Sequence, residues 1–297
     1  MRIAITGPTG SIGYDLVQNA LDRGDEVIAV VRPDSPRSKD LPQDENLTIV
    51  EADISDYGSI QGKYDCDVFY HLAWMETFGS LRDDTDIQVR NIEYSLDAVK
   101  LAKSWNASAF IGAGSQAEYG PASSILNDET PIRPESGYGI AKYAAGKMCS
   151  LLCQQEKIRF NWIRIVSVFG KRDSERTLIK YLIKSFRENE SPVLTPCEQI
   201  WDYLYSKDAA EAFYCVGKNG IDGKTYALGS GKPRRMRDYV ETVRALMGSQ
   251  VPIEYSREYY PHQPMLLIAD TNEISKDTSF KCNYSFEDAI AEMLEDC

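Results

Sequence analysis

The glycine-rich stretch Gly7-Pro8-Thr9-Gly10-Ser11-Ile12-Gly13 constrains the fold of this chain more than any other segment. It follows the apolar, strand-like run Ile3-Ala4-Ile5-Thr6 at once. It then opens a segment, Ser11 to Arg23, whose apolar residues Ile12, Leu16, Val17, Ala20 and Leu21 recur at helical spacing before Gly24. Glycines between a strand and a helix permit a tight turn and close helix–strand packing. They also let the backbone approach a pyrophosphate, which the N–H groups and positive dipole end of the helix would hold. Gly7, Thr9, Gly10, Ser11, Ile12 and Gly13 are therefore candidate ligand-binding residues.

The same rhythm continues downstream. Val27 to Val31 is a continuous β-branched run, as expected of a strand buried on both faces, and Leu47 to Val50, Val68 to Leu72, Phe110 to Gly112 and Trp162 to Val166 repeat it. Residues 87–104 and 139–155 read as long helices between them. Regular strand–helix alternation predicts an α/β fold, a Rossmann-type doubly wound parallel sheet with helices on both faces. After about residue 166 the rhythm changes: helices are expected over 177–188 and 237–247, with a strand leading into a helix over 202–217. This predicts a sheet domain of residues 1–166 plus about 201–228. A smaller, discontinuous C-terminal substrate domain would take about 167–200 plus 229–297.

Composition narrows the function. With 297 residues, 33 Lys+Arg against 45 Asp+Glu and a net charge of −12, the surface should repel a phosphate backbone, so no nucleic-acid partner is expected. No apolar run approaches the ~20 residues that span a bilayer, and the start lacks a signal peptide's basic and apolar regions. Seven scattered cysteines and two distant histidines, His71 and His262, offer no metal ligand set. No membrane, no metal and a reducing cytoplasm with free thiols are the expectations. Cys149 and Cys153, one helical turn apart, read as core or interface residues.

The glycine spacing, Gly-x-x-Gly-x-x-Gly, resembles that of the extended short-chain dehydrogenase/reductase family, and further residues carry the resemblance in order along the chain. Asp53-Ile54 resembles its adenine-contacting pair, His71-Leu72-Ala73 its fourth-strand end beside the cofactor, and Asn91 a helix asparagine that steadies the site. Ser115, before Tyr119-Gly120, matches its catalytic Ser/Thr, and Tyr138-Gly-Ile-Ala-Lys142 its Tyr-x-x-x-Lys. The resemblance implies catalytic Ser115, Tyr138 and Lys142, with Asp53, Ile54, Leu72, Ala73, Tyr138 and Lys142 also on the cofactor. It further implies a homodimer that packs the two long helices of each subunit together.

The chemistry follows from the residues themselves. Tyr138 and Lys142 are i and i+4 and share a helix face. A phenol is a poor base at neutral pH, but a neighbouring ammonium favours phenolate and lowers its pKa towards the working range. Ser115 would hydrogen-bond the substrate oxygen beside the phenol.

The end of the second strand reads Val31-Arg32 where NAD-preferring relatives carry an acid. An arginine suits a 2′-phosphate, and Arg37 and Lys39 extend a basic patch, so NADP(H) is favoured, with NAD(H) possible. Gln116-Ala117 follow Ser115 in place of the Asp-Glu pair of dehydratases, and Glu118 is expected to face away. The reading this favours is NADPH-dependent reduction of the 4-keto group of a nucleotide-diphospho-4-keto-6-deoxyhexose. The alternative is an NAD-dependent sugar-nucleotide 4-epimerase; a reductase of non-nucleotide ketones and a non-catalytic dinucleotide-binding regulator rank below both. Trp74, Gln116, Ser167, Trp201 and Arg235 are candidates for the sugar-nucleotide pocket, with Arg234 and Lys171 as further diphosphate candidates. Tyr259, Tyr260 and His262 are candidates for a loop lining the sugar.

Overall fold

The computed structural model describes residues 1–256 and 266–295. Seven parallel strands form one sheet: β1 (Arg2–Thr6), β2 (Glu26–Val31), β3 (Leu47–Glu51), β4 (Val68–His71), β5 (Ala109–Ser115), β6 (Arg159–Ile165) and β7 (Thr225–Leu228). Their spatial order is β7-β6-β5-β4-β1-β2-β3, so the chain reverses direction across the sheet between β1 and β4. In such sheets the crevice outside the carboxyl ends of the two central strands is where ligands bind. Central strands are buried on both faces, as their β-branched and aromatic runs require. The edge strand β3 departs from that expectation, because Thr48 and Ile49 lie exposed on it.

One face of the sheet is covered by α2 (Thr85–Ser104) and α3 (Gly137–Glu156), whose inner residues Ala98, Val99, Ala145, Cys149 and Cys153 share a core with Phe69, Phe110 and Trp162. Both cysteines are thus core residues. Burial pushes the Cys153 thiol up to about 12, which keeps it protonated. The other face carries α1 (Ser11–Asp22) and α5 (Ser206–Asn219).

Beyond β6, the helices α4 (Leu178–Arg187), α6 (Met236–Leu246) and α8 (Phe286–Glu295) each bury an i, i+3, i+4, i+7 stripe. Ile179, Leu182, Ile183 and Phe186 meet Met236, Tyr239, Val240 and Val243 around Phe169 and Phe286. This second core stands over the carboxyl end of the sheet. Short strands at 200–201, 234–235 and 266–267 pair alongside it. The tail differs from expectation at α7 (Asn272–Thr278): Ile274 and Phe280 return to the core beneath the sheet, against α5. No helix among the described residues is long and apolar enough to cross a membrane.

Candidate active site

At the crevice between β1 and β4 the glycine loop is shaped by close contacts. Gly7 holds φ +70°, and a β-carbon there would sit 2.9 Å from the Ala73 backbone nitrogen; one at Gly13 would sit 2.2 Å from the Gly7 carbonyl. Gly10 caps α1 without a side chain, so the first-turn N–H groups keep no side-chain acceptor and face the crevice. A cradle that any side chain would fill, opening on bare helix N–H donors, fits the pyrophosphate of a dinucleotide.

A cavity of about 400 Å³ runs from this loop past Thr9, Arg32, Asp53, Ile54 and Ala73. It meets a larger cleft, about 700 Å³, at Gly7, Gly10, Leu72 and Trp74. Asp53 caps the turn behind it, accepting from the Ser55 N–H at 3.0 Å and hydroxyl at 2.7 Å, and those bonds hold its carboxyl below the usual range. The basic patch expected here does not assemble. Arg37 donates to the Arg172 carbonyl at 3.3 Å and lines the larger cleft instead, and Lys39 is exposed outside both cavities. Among the described residues, Arg32 is the one cation lining this end.

The larger cleft gathers Ser11, Ile12, Gly13, Ser115, Gln116, Tyr138, Lys142, Ser167 and Trp201 from separate stretches of the chain. Ser115 ends β5, where its hydroxyl accepts from the Ala117 N–H at 3.2 Å and stands near enough to the Tyr138 phenol to favour the phenolate. Tyr138 enters α3 one residue after its start, where Ser136 caps the Gly139 N–H. One turn later Lys142 is buried: its Nζ donates to the Ala113 carbonyl at 2.8 Å and lies 3.8 Å from the Trp74 ring centroid. Burial pulls Lys142 down to about 7. The expected lowering of the phenol is not what the protein alone produces: burial holds Tyr138 above its ordinary value, against the Ser115 hydroxyl and the charge of Arg82.

The supporting groups are polar and saturated. Asn91, buried on α2, accepts from the Met75 N–H at 2.9 Å and donates to the Met75 carbonyl at 3.0 Å, pinning the segment that carries Trp74. Trp74 Nε1 donates to Gln88 Oε1 at 3.1 Å. His71 lies between Thr6 Oγ1 at 2.9 Å and Ser95 Oγ at 3.3 Å; burial, then the charge of Lys142, holds it near 3 and neutral. Glu118 does face away from the cleft. It accepts from the Ser115 N–H at 2.8 Å, Trp162 Nε1 at 2.9 Å and Arg164 Nε at 2.8 Å, fixing the backbone of Ser115 from behind.

Not every candidate converges. Arg235 is exposed and lies outside the cleft. Arg234 is held by Glu287 through bonds of 2.5 and 3.0 Å, and Lys171 pairs with Glu292 at 3.2 Å. Tyr259, Tyr260 and His262 lie outside the described residues. In their place the structure brings Arg82, Arg172 and Asp173 to the cleft. Their sequence neighbourhoods carry no motif. Asp173 accepts from the Gly170 N–H at 3.2 Å, and burial raises its carboxyl to about 6.

Comparison with known proteins places this geometry. The uncharacterized UDP-glucose epimerase YtcB of Bacillus subtilis (strain 168) is 23% identical over 272 residues, covering 86% of this chain and 85% of that protein. Among solved structures, the UDP-N-acetylglucosamine 4-epimerase from Methanobrevibacter ruminantium M1, in complex with UDP-N-acetylmuramic acid, superposes with a TM-score of 0.88 at 24% identity, over 99% of this chain and 97% of that one. The UDP-glucuronic acid 4-epimerase from Bacillus cereus, in complex with NAD, gives 0.85 at 20% identity, over 100% and 99%. A family model matches residues 3–229 with the glycine loop, Ser115, Tyr138 and Lys142 inside its span, and by that match the chain belongs to the NAD dependent epimerase/dehydratase family.

Proposed function

We propose that the protein is an NAD-dependent 4-epimerase acting on a nucleotide-diphosphate hexose. The observation that carries this reading is the joining of Ser115, Tyr138 and Lys142 in one cleft, which opens directly onto the glycine-loop crevice. Within it, Tyr138 takes the proton from the sugar's C4 hydroxyl and later returns it, while Ser115 holds the same oxygen against the phenol. Lys142 contributes charge from beneath the phenol, and Glu118 keeps Ser115 in register through its backbone N–H. A nicotinamide ring bound in the crevice would supply the hydride acceptor and donor, and its positive charge in the oxidised form would favour the phenolate that burial otherwise opposes. Gln116-Ala117 offer no second acid–base pair for dehydration.

Two findings favour the epimerase over the 4-keto reductase that the sequence favours. Arg37 and Lys39 stand apart from Arg32, which leaves one cation, not three, beside the adenosine end. The solved relatives of the same fold also include UDP-sugar 4-epimerases, one of them with NAD. Arg32 in place of an acid at the end of β2 keeps the reductase as the second reading. Releasing the dinucleotide from purified protein by denaturation, and identifying it by mass, separates them. Near-stoichiometric NAD, with interconversion of a sugar nucleotide and its C4 epimer at constant 340 nm absorbance, is the expected result. NADPH oxidation by a 4-keto sugar nucleotide, in protein that carries no NAD, overturns the epimerase.

A further inference from the structure

Arg82 sits in the short turn Ser80–Asp83 between β4 and α2, and the turn is tied to the helix that carries Tyr138. Asp83 accepts from the Gly137 N–H at 2.7 Å, one residue before Tyr138, and Asp84 caps the Ile87 N–H at 3.0 Å. Both acidic neighbours of Arg82 are thereby committed to backbone donors, and neither pairs with it. Its guanidinium carbon lies 4.7 Å from the Tyr138 ring centroid, over the phenol and in the lining of the larger cleft. A cation–π contact consumes none of the guanidinium's N–H donors, which stay available to an acceptor. Nε of Arg82 is buried and has no acceptor among the described residues, and no carboxylate among them pairs with this side chain.

A buried arginine N–H without an acceptor is costly, and natural proteins leave such groups open mainly where something else completes them. What completes this one must be an acceptor, preferably an anion matching the planar fork. The place of Arg82 limits which anion. In a nucleotide-diphosphate hexose the diphosphate hangs from C1, across the ring from the C4 oxygen that Tyr138 would handle. A cation over Tyr138 therefore faces the C4 end, where the substituent on the neighbouring C5 comes within its reach.

We propose that Arg82 makes the cleft selective for hexoses carrying a carboxylate at C5, the hexuronic acids, over neutral hexoses linked to the same nucleotide. This rests on the reading of the cleft as a nucleotide-sugar site, and the test keeps the two apart. Calorimetric titration of the purified protein, with whatever dinucleotide it carries, would use matched pairs: UDP-glucose against UDP-glucuronic acid, and dTDP-glucose against dTDP-glucuronic acid. In the pair whose nucleotide is accepted, the uronic acid should bind about tenfold or more tightly than the hexose. Arg82→Gln should shrink that margin below about threefold, Arg82→Lys should keep part of it, and both variants should keep the fold by circular dichroism. Equal affinity for the two members of the accepted pair overturns the proposal, as does a margin that survives Arg82→Gln. Failure of all four compounds to bind would instead remove the nucleotide-sugar reading, and this proposal with it.

Discussion

Lys142 meets two opposed demands: to put positive charge under a phenol, and to sit where water cannot solvate that charge. Burial wins, bringing it from 10.5 to about 7, although Glu118 pulls the other way. Above about 7 the folded protein sheds this proton while the unfolded chain keeps it up to about 10.5. Below 7 both states hold the proton, and the cost of the buried ammonium is fully present; from 7 to 10.5 it is progressively relieved. Replacing Lys142 with methionine removes that cost along with the bond to the Ala113 carbonyl. Near pH 7, Lys142→Met should therefore be more stable than the wild type, by roughly 1–3 kcal/mol, while losing activity. The gap between the two proteins should close as the pH rises towards 10. Urea denaturation of both at several pH values between 6.5 and 10 reads this directly; a gap that stays constant with pH refutes the assignment of the buried charge. The i, i+4 spacing of Tyr138 and Lys142 shows in the sequence that they are neighbours. The Trp74 ring that roofs the lysine, and the burial that raises the phenol, come from segments far apart in the chain, and no local pattern announces them.

Helices and strands were legible to the degree that their burial is periodic. The stripe Leu16, Val17, Ala20, Leu21 defines α1, and the same spacing defines α4 and α6, because each presents one face to a core. α7 and the pairing of β7 with β6 escaped, since both are short and take their places from long-range packing against α5 and β6. The Arg82 turn and the Arg234–Glu287 pair escaped for a related reason: which charge is left free depends on which partner the fold delivers. The glycines of β5 are a separate case. Gly in a strand interior ordinarily weakens it, but Gly112 and Gly114 on β5 and Gly146 on α3 make a slot for the Trp162 indole. A β-carbon at Gly112 would lie 2.2 Å from that ring, and one at Gly114 would lie 2.6 Å from Glu118 Oε1. Gly112→Ala should displace the indole and its 2.9 Å bond to Glu118, lowering stability by roughly 1–3 kcal/mol. Because Glu118 also holds the Ser115 N–H, turnover should fall with it. An unchanged melting temperature in a thermal denaturation series would show that the slot has slack that the geometry does not contain.

For the molecule as a whole, the surface left by α2 and α3 calls for a partner. Val89 on α2 and Ile140, Met148 and Leu151 on α3 are 46–54% exposed, an apolar strip on the side of the two helices turned from the sheet. Isolated exposed apolar residues are ordinary, whereas a strip shared by adjacent helices marks an interface. We propose a second copy of the chain as its occupant: a two-fold pairing would set α2 and α3 of one subunit against their counterparts, so that four helices would share one core. The expected species in sedimentation is then twice the 33.4 kDa chain. Leu151→Asp, which puts a charge into the centre of that core, should shift it to the single chain at micromolar concentration. The consequence reaches the site, because α3 carries Tyr138 and Lys142 on its inner side and this strip on its outer side. Pairing would brace α3 from outside just as Trp162 and Glu118 brace Ser115 from within. The monomeric variant should therefore keep its fold by circular dichroism and yet lose turnover to the same extent as the wild type does on dilution below its dimer dissociation constant. A wild-type chain that sediments as a monomer at tens of micromolar would remove this support for the catalytic helix, and its rigidity would then rest on the sheet side alone.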